Sequence, residues 1–420
     1  MKDYEEVLSW IEDQRKPMID QVIEWADINS GSSNLEGLNA ILNTLKRSFE
    51  TLDAQADTIS LRTVKNISPE GKVSESPTGQ GLIIQKRPEA QIQVLLGGHM
   101  DTVYPLSSPF QKAHVYDNKN IHGPGTADMK GGLMIMLKSL EALEQFKYKE
   151  HIGWRVFITP DEEVGSLASE HLHEKFARQS DFGIIFEPSF PDGSIVSARK
   201  GSYNFAIISK GKAAHSGRDF HSGKNAIIAL LKCCLRINLL NENPNEVTIN
   251  LGHIEGGGPP NIVPDLAMCR FNVRMKEAEH LNELIKVIEE IIKEENRVDG
   301  TDLEFIELGH RTPKSFDQKH ADLFDLFKVC AKEHSIDLVC KPSGGVCDGN
   351  IWSSAGLPTI DTMGVIGSGI HTFDEQFEVE SLIERTKICA SLLMKLGSGE
   401  LQLPESFNQR KMSDKRLTYE

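Results

Sequence analysis

Apolar residues recur with helical spacing over the first fifty positions of the chain. This spacing predicts an amphipathic helix. The apolar residues that follow it are Leu8, Ile11, Ile19, Val22, Ile23 and Trp25. The polar run at 29–34 ends this helical pattern. A second amphipathic stretch follows from about Leu35 to Leu52.

Short apolar runs then alternate with helical patterns. They predict buried strands at Ile92–Leu96, Gly153–Thr159 and Phe182–Phe186, and a helix at Met129–Phe146. Alternating strands and helices are typical of an α/β fold. We therefore expect a mainly parallel sheet flanked by helices.

The middle of the chain has a different pattern. It predicts the order strand, helix, strand, strand, helix, strand at 203–211, 225–240, 247–254, 266–275, 277–296 and 303–308. This order is the split ferredoxin-like α+β unit, which is self-contained. We expect residues 199–312 to form an inserted domain, and residues 1–198 and 313–420 to form the domain that surrounds it, with a helix near Val379–Leu396.

Length and composition narrow the functional classes. A chain of 420 residues suits about two domains. It carries 61 acidic and 46 basic residues without a basic block, which argues against nucleic-acid binding. No apolar run approaches the roughly 18 residues of a membrane span, so we expect neither a membrane span nor a secretory signal. The seven cysteines show no CxxC spacing, so we expect reduced core thiols and a cytoplasmic protein.

Four predicted strands lead into residues that often bind metals. The run 94–98 precedes His99, 157–160 precedes Glu162 and Glu163, 184–186 precedes Glu187, and 359–363 precedes a glycine-rich loop that ends at His371. Ligands of α/β sheets bind beyond the carboxyl ends of the strands. Histidine, aspartate and glutamate at those ends indicate a metal site.

Asp128 lies in a fifth segment, between Gly123 and Gly125 on one side and Gly131 and Gly132 on the other. It could cap the following helix, but the surrounding glycines favour a tight turn that aims its carboxylate. Each of the other residues also has a structural explanation; acids after a strand, for example, favour a helix start. Their occurrence together favours the metal site.

These segments resemble a known enzyme family. The runs 99–103, 123–132, 161–166 and 187–188 are similar to motifs of zinc aminoacylases, acetylornithine deacetylases, succinyl-diaminopimelate desuccinylases and glutamate carboxypeptidases, in the same order over nearly the whole chain. The glutamate carboxypeptidase branch is the most similar. The resemblance implies a zinc-peptidase-like catalytic domain with an inserted lid domain that also forms a homodimer.

The resemblance also implies two Zn²⁺ ions per subunit, for which Co²⁺ or Mn²⁺ could substitute. His99 and Glu187 would bind one ion, Glu163 and His371 the other, and Asp128 both. Asp101 would hold the imidazole of His99 in the required tautomer. Glu162 would be the general base for the attacking water. Because Glu162 and Glu163 are adjacent, they should point in opposite directions in an extended loop.

Further roles follow from the same resemblance. His215 would stabilise the oxyanion of the partner subunit's active site. Asn261, in a lid loop, and Gly345, in a glycine-rich loop, would contact the substrate. Arg274 and Arg311 would bind its carboxylate, because a guanidinium can bond both oxygens.

Glu187 bears on the substrate class. In the resemblance, glutamate at this position accompanies deacylases and carboxypeptidases, whereas aspartate accompanies aminopeptidases. We therefore expect hydrolysis of N-acyl amino acids or of C-terminal peptide bonds. Two alternatives stay open: hydrolysis of a non-peptide amide such as an N-carbamoyl compound, and a non-catalytic metal-binding homologue.

Overall fold

The computed structural model describes residues 2–68, 73–117, 119–242 and 247–407. Within these residues the α-helices are α1 (Tyr4–Asp13), α2 (Arg15–Ala26), α3 (Leu35–Phe49), α4 (Gly131–Gln145), α5 (Glu170–Arg178), α6 (Ala226–Asn238), α7 (His280–Asp299), α8 (Gln318–Glu333), α9 (Asp348–Ser354) and α10 (Val379–Ser398). None of these helices combines the length and the apolar character that a membrane crossing requires.

The strands of the same residues form five sheets. They are β1 (Gln55–Ile59), β2 (Val64–Ile67), β3 (Val73–Ser76), β4 (Gly81–Lys86), β5 (Ile92–His99), β6 (His114–Tyr116), β7 (Asn120–His122), β8 (Ile152–Thr159), β9 (Phe182–Ile185), β10 (Ile195–Arg199), β11 (Gly201–Lys210), β12 (Val247–Gly256), β13 (Leu266–Met275), β14 (Asp302–Arg311), β15 (Cys340–Ser343), β16 (Thr359–Ile360), β17 (Gly367–Ser368) and β18 (Gln376–Glu378).

The largest sheet has the strand order β1-β4-β8-β5-β9-β16. Strands β8, β5, β9 and β16 are parallel, so their carboxyl ends share one edge. The α/β prediction is confirmed. Strands β1 and β4 at the other side pair antiparallel and were not predicted.

Both faces of this sheet are buried, as the apolar character of its central strands requires. Leu96 of β5 faces a large core that includes α4 and α10, whereas its neighbour Leu95 faces a smaller core with α5 and α9. Successive side chains of a strand point to opposite faces. The sheet is therefore the middle layer between two layers of helices.

A second sheet, with the order β12-β13-β11-β14, is antiparallel throughout. Helices α6 and α7 pack on one face and share a separate core with it. The sequence order of these elements is the predicted β-α-β-β-α-β order. Strand β13 has the predicted bounds, whereas β11 begins two residues earlier than predicted. Strand β14 is longer than predicted and extends to Arg311.

Two chain segments join this second unit to the rest, and they lie side by side. The backbones of Arg199 and Lys314 exchange hydrogen bonds of 2.9 and 3.0 Å. Both side chains also contact the buried carboxylate of Asp361, each at 2.9 Å. The boundaries at 198/199 and 312/313 remain predictions, but the observed pairing lies next to them.

Two predicted helices differ from the observed ones. The predicted N-terminal helix is two helices, since Gln14 caps the end of α1 and precedes α2. The helix predicted from Met129 begins at Gly131, because Asp128 and Met129 in the preceding turn have φ and ψ angles outside the helical range.

Trp352 of α9 packs flat against two glycines of the central sheet. A Cβ atom at Gly97 of β5 would lie 2.5 Å from Trp352 Cη2, and one at Gly183 of β9 would lie 2.6 Å from Trp352 Cε3. Real Cβ atoms do not approach other atoms so closely. The two glycines therefore form a seat for the buried indole ring.

We predict that Gly183→Ala destabilises the protein by roughly 1–3 kcal/mol, because the added methyl group overpacks the seat. Gly258→Ala is the matched control, since a Cβ there meets no atom within 4 Å. It should change stability by less than about 0.5 kcal/mol. Urea denaturation of both variants measures the difference, and equal midpoints would contradict the seat.

Candidate metal centre and active site

Asp128 lies between two histidines at the carboxyl edge of the central sheet. Its Oδ1 lies 3.0 Å from His99 Nε2, and its Oδ2 lies 3.3 Å from His371 Nε2. His99 is the last residue of β5, whereas His371 follows β17. One carboxylate thus faces two imidazoles that come from distant parts of the chain.

Each histidine has a second carboxylate neighbour. Glu187 Oε1 lies 3.6 Å from His99 Nε2, and Glu163 Oε2 lies 3.1 Å from His371 Nε2. These contacts define two groups of three donors that share Asp128. Donor atoms of His99, Asp128 and Glu163 also lie within 4.8 Å of one another, so the two groups are adjacent.

The turn Thr126–Lys130 holds Asp128 in this position. It begins after Gly125, whose φ of 67° suits glycine. The buried carboxylate of Glu375 accepts hydrogen bonds from the backbone N–H groups of Gly125, Ala127 and Asp128 at 3.1, 2.9 and 3.0 Å. Glu375 therefore fixes the backbone that carries the shared ligand.

Asp101 contacts both the imidazole of His99 and the turn that follows β8. His99 Nδ1 lies 3.0 Å from the backbone oxygen of Asp101 and 3.4 Å from its carboxylate. The carboxylate also accepts hydrogen bonds from the backbone N–H groups of Glu162 and Glu163 and from the Ser32 hydroxyl. The role of Asp101 in fixing the tautomer of His99 stays a prediction.

Glu162 and Glu163 point to different partners, although the predicted extended loop is wrong. They begin a short 3₁₀ turn, Glu162–Val164, which Asp101 supports. Glu163 faces His371, whereas Glu162 Oε1 accepts a hydrogen bond of 2.7 Å from Arg311 Nη1. A Glu162 oxygen still lies within 4.8 Å of donor atoms of His99 and Glu187.

Burial and close contacts shift the pKa values of the ionisable side chains in this cluster. Burial raises the pKa of Glu187 well above its usual range and that of Glu163 to about 7, and Asp128 adds to both increases. Burial opposes ionisation of Asp128, but hydrogen bonds from His371 and His99 outweigh it and hold its pKa well below the usual range. Hydrogen bonds to Asp128 and Glu163 raise the pKa of His371 to about 10. The carboxylates therefore require nearby positive charge.

A cavity of about 410 Å³ opens beside the cluster. Among its lining residues are Glu162, Glu163, His371, Arg274, Arg311 and Gly345. Arg274 Nη1 is buried without a hydrogen-bond partner among the described residues, and its Nε donates to Asn272 at 2.9 Å. Burial and the nearby Arg311 charge lower the pKa of Arg274. This guanidinium is suited to an anionic ligand.

Arg311 has different partners from those that we predicted for it. Its terminal nitrogens bond to the Glu162 carboxylate, the Ser166 hydroxyl and the Asp348 carboxylate. A bidentate bond to a substrate carboxylate would have to replace these bonds. Arg311 is therefore engaged with Glu162 in this structure while it also lines the cavity, and its predicted contact with a substrate carboxylate stays a prediction.

His215 and Asn261 do not line this cavity within one chain. They lie together on an exposed part of the second unit, where Ser216 N donates to Asn261 O at 3.0 Å and the backbones of His215 and Ile262 pair. His215 Nδ1 accepts a hydrogen bond from Gly217 N at 3.1 Å. Their predicted roles would require this surface to meet another active site.

The sequence profile of "Peptidase family M20/M25/M40" matches residues 95–395, which is most of the chain and includes all of the residues around Asp128. This chain belongs to that family. The resemblance seen in its motifs is confirmed, and the protein is a metal-dependent hydrolase of the peptidase and amidohydrolase type.

Individual relatives agree with this assignment. Carboxypeptidase G2 of Pseudomonas sp. (strain RS-16) is 25% identical over 92% of this chain and 91% of its own length. An acetylornithine deacetylase of Aliivibrio fischeri is 28% identical over 66% of this chain and 72% of its own length. The crystal structure of an M20 family metallo-carboxypeptidase from Sulfolobus solfataricus has the same fold, with a TM-score of 0.70, 17% identity and coverage of 91% and 99%.

The residues around Asp128 fit the metal dependence of the family. Two imidazoles and three carboxylates offer only nitrogen and oxygen donors, which suit Zn²⁺, Co²⁺ and Mn²⁺. The His371 side chain is 52% exposed, whereas that of His99 is 1% exposed. One side of the centre is thus open to a ligand and the other is closed.

Some residues of the site had no signal in the sequence. Glu375 follows His371 by four positions in an irregular loop, and His173 lies in the middle of α5. Neither belongs to a strand end or to a recognised motif. Only their contacts in the folded chain reveal their connection to Asp128 and Asp348.

We predict that Glu375→Gln weakens metal binding about 10–100-fold, the usual effect of losing a group that orients a ligand. The amide NH₂ would face the N–H groups of the Asp128 turn instead of accepting from them. Competition with a chromophoric chelator measures the affinity. Glu380→Gln, which alters a carboxylate paired with Arg15 at the surface, is the control; equal affinities would contradict the role of Glu375.

Proposed function

We propose that this protein hydrolyses the amide bond of N-acyl amino acids, or the C-terminal peptide bond of peptides, next to a free carboxylate. The observation that carries the proposal is the cavity that Arg274 shares with the ligands around Asp128. It provides a place for a carboxylate beside a place for the scissile carbonyl. The relatives named carboxypeptidase and acetylornithine deacetylase agree with such a substrate.

The metal assignment follows the two groups that share Asp128. His99, Asp128 and Glu187 would hold one Zn²⁺, and Glu163, His371 and Asp128 the other, with Co²⁺ or Mn²⁺ as substitutes. When bound, the two cations supply polarisation of the carbonyl and acidification of water. They also balance the buried carboxylates.

Glu162 would act as the general base. Arg311 holds one of its oxygens, and the carboxylate lies beside the donors of His99 and Glu187. It would accept the proton of the attacking water and pass it to the leaving amine. Burial raises the pKa of Glu162, which moves it towards neutral pH and makes the carboxylate a stronger base.

The substrate would be positioned on both sides of the scissile bond. Arg274 would bind the carboxylate with two hydrogen bonds, and Gly345 lies at the wall of the same cavity. A larger cavity of about 770 Å³ adjoins it and shares Asn204 and Asn272 with it. A substrate longer than an acetyl amino acid would have room to extend there.

A homodimer would complete the site. Four exposed apolar residues recur at helical spacing on α6 and its C-cap, with exposures of 46, 39, 67 and 64%: Ile228, Leu231, Leu235 and Leu239. Such a stripe is typical of a protein interface, and the adjacent β12 is an edge strand. Two-fold association through this surface would allow His215 and Asn261 to reach the partner subunit's cavity.

The proposal predicts different metal contents for two adjacent isosteric variants that both lose activity. Glu162→Gln should retain two metal ions and lose about 10²–10⁴-fold in kcat, because only the base is removed. Glu163→Gln should lose metal as well as activity, since it removes a ligand. Release of free amino acid from a panel of N-acyl amino acids and peptides, with metal content by atomic emission, measures both.

Two controls accompany this panel. EDTA should abolish activity, and Zn²⁺ should restore it. Faster cleavage of a substrate with a free amine than of its N-acylated analogue would contradict the substrate class. If the protein binds two metals but cleaves nothing on the panel, the amino-acid class is wrong and N-carbamoyl compounds are the next candidates.

The dimer predicts complementation between two inactive variants. In a mixed dimer of His215→Ala and Glu162→Gln, one active site has an intact Glu162 and receives an intact His215 from the other subunit. Mixing the variants under exchange conditions should therefore restore activity, up to about half in each mixed dimer. Mixing that leaves both variants inactive, although mixed dimers form, would show that His215 does not act across the interface.

A further inference from the structure

The orientation of Glu162 depends on Arg311. Arg311 Nη1 donates to Glu162 Oε1 at 2.7 Å, and Nη2 lies 3.2 Å from the Glu162 backbone oxygen. The two side chains are 6% and 10% exposed, so water does not compete strongly for this pair. Any residue that fixes the guanidinium also fixes the carboxylate.

Asp348 and Ser166 also hold the Arg311 guanidinium. Arg311 Nη2 donates to Asp348 Oδ1 at 3.2 Å and also to the Ser166 hydroxyl. Ser166 donates its own proton to the same Asp348 oxygen. Burial opposes ionisation of Asp348, but its contacts with His173, Arg311 and Ser166 outweigh burial and hold its pKa well below the usual range, so it remains an anion beside the guanidinium.

The other oxygen of Asp348 faces a histidine that a tryptophan orients. Asp348 Oδ2 lies 3.1 Å from His173 Nε2, and Trp352 Nε1 donates to His173 Nδ1 at 2.8 Å. An indole N–H is only a donor, so His173 Nδ1 must be an acceptor. The ring proton is then on Nε2, which lies in ion-pair contact with Asp348 but outside regular hydrogen-bond geometry. All three side chains are 0–3% exposed.

From this geometry we propose that Trp352, His173 and Asp348 form a positioning relay, which fixes Arg311 and through it Glu162. None of the three contacts the donor atoms around Asp128, so they act through Arg311 rather than on the substrate. The inference rests on the proposed function, because it takes Glu162 to be the base. It also gives Arg311 a role other than the predicted binding of the substrate carboxylate.

The relay has a direct physical reason. A glutamate base must stay within hydrogen-bonding reach of the water that it deprotonates. Glu162 lies in a short turn beside a ligand, and a long guanidinium alone would allow it to rotate. The rigid indole of Trp352 is seated on Gly97 and Gly183. It removes that freedom through the imidazole of His173 and the carboxylate of Asp348.

The test uses variants that remove one hydrogen-bonding group each. Trp352→Phe removes the donor to His173, and His173→Phe removes both ring contacts; we expect kcat to fall about 10-fold and 10–100-fold respectively, with KM unchanged within about two-fold. His173→Gln keeps a donor for Asp348 and should recover most of the kcat. Trp154→Phe, which removes a buried indole donor to Glu144 far from the site, should match wild type.

The outcomes separate the relay from simple packing. Unchanged kcat in Trp352→Phe and His173→Phe, with wild-type metal content, would overturn the relay. A rise in KM at unchanged kcat would overturn it as well, because it would place Arg311 on the substrate. Equal loss in His173→Gln and His173→Phe would show that ring packing alone matters and would overturn it too.

A second measurement does not depend on turnover. In the crystal structure of metal-loaded His173→Phe, or of Trp352→Phe if the first variant does not fold, Arg311 Nη1 should have left hydrogen-bonding distance of Glu162 Oε1. An unmoved Arg311 would overturn the relay. If the wild type cleaves no substrate on the panel, the proposed function fails while this structure still decides whether the relay holds Arg311.

Discussion

Four carboxylates lie close together at one edge of the central sheet, and each of their side chains is at most about a tenth exposed. They are Asp128, Glu162, Glu163 and Glu187. Like charges at short range in a poorly solvated cleft raise one another's pKa values and destabilise the folded state. The site therefore needs positive charge from several directions. His99, His371 and Arg311 supply part of it, and the donor set is suited to divalent cations for the rest.

The fold brings the carboxylates and the positively charged groups together from different segments of the chain. Parallel strands end at a common edge, so His99 and Glu187 arrive from β5 and the residues after β9 without strain. Two adjacent glutamates then acquire different tasks from their partners alone: Glu163 lies against an imidazole and Glu162 against a guanidinium. The two glutamates have the same side chain, and their different neighbours give them different functions.

Much of this was readable in the sequence because it depends on local patterns. Strand ends, the glycines around Asp128 and the β-α-β-β-α-β order are properties of short segments. The antiparallel strands β1 and β4 were not predicted, because β1 is mostly exposed and the apolar run of β4 spans only Leu82 to Ile84. Glu375, His173 and the true partners of Arg311 could not be predicted, since most of their contacts join positions more than a hundred residues apart. Long-range hydrogen bonds leave no periodic trace in the chain.

The paired backbones of Arg199 and Lys314 determine how the second unit is attached. Because the two connections lie side by side, the segment between them leaves and re-enters the surrounding unit at a single point. Segments with adjacent ends are the kind that a domain accommodates without rearranging its core. Both connections also share the carboxylate of Asp361, so one buried acidic group holds the two ends of the segment together.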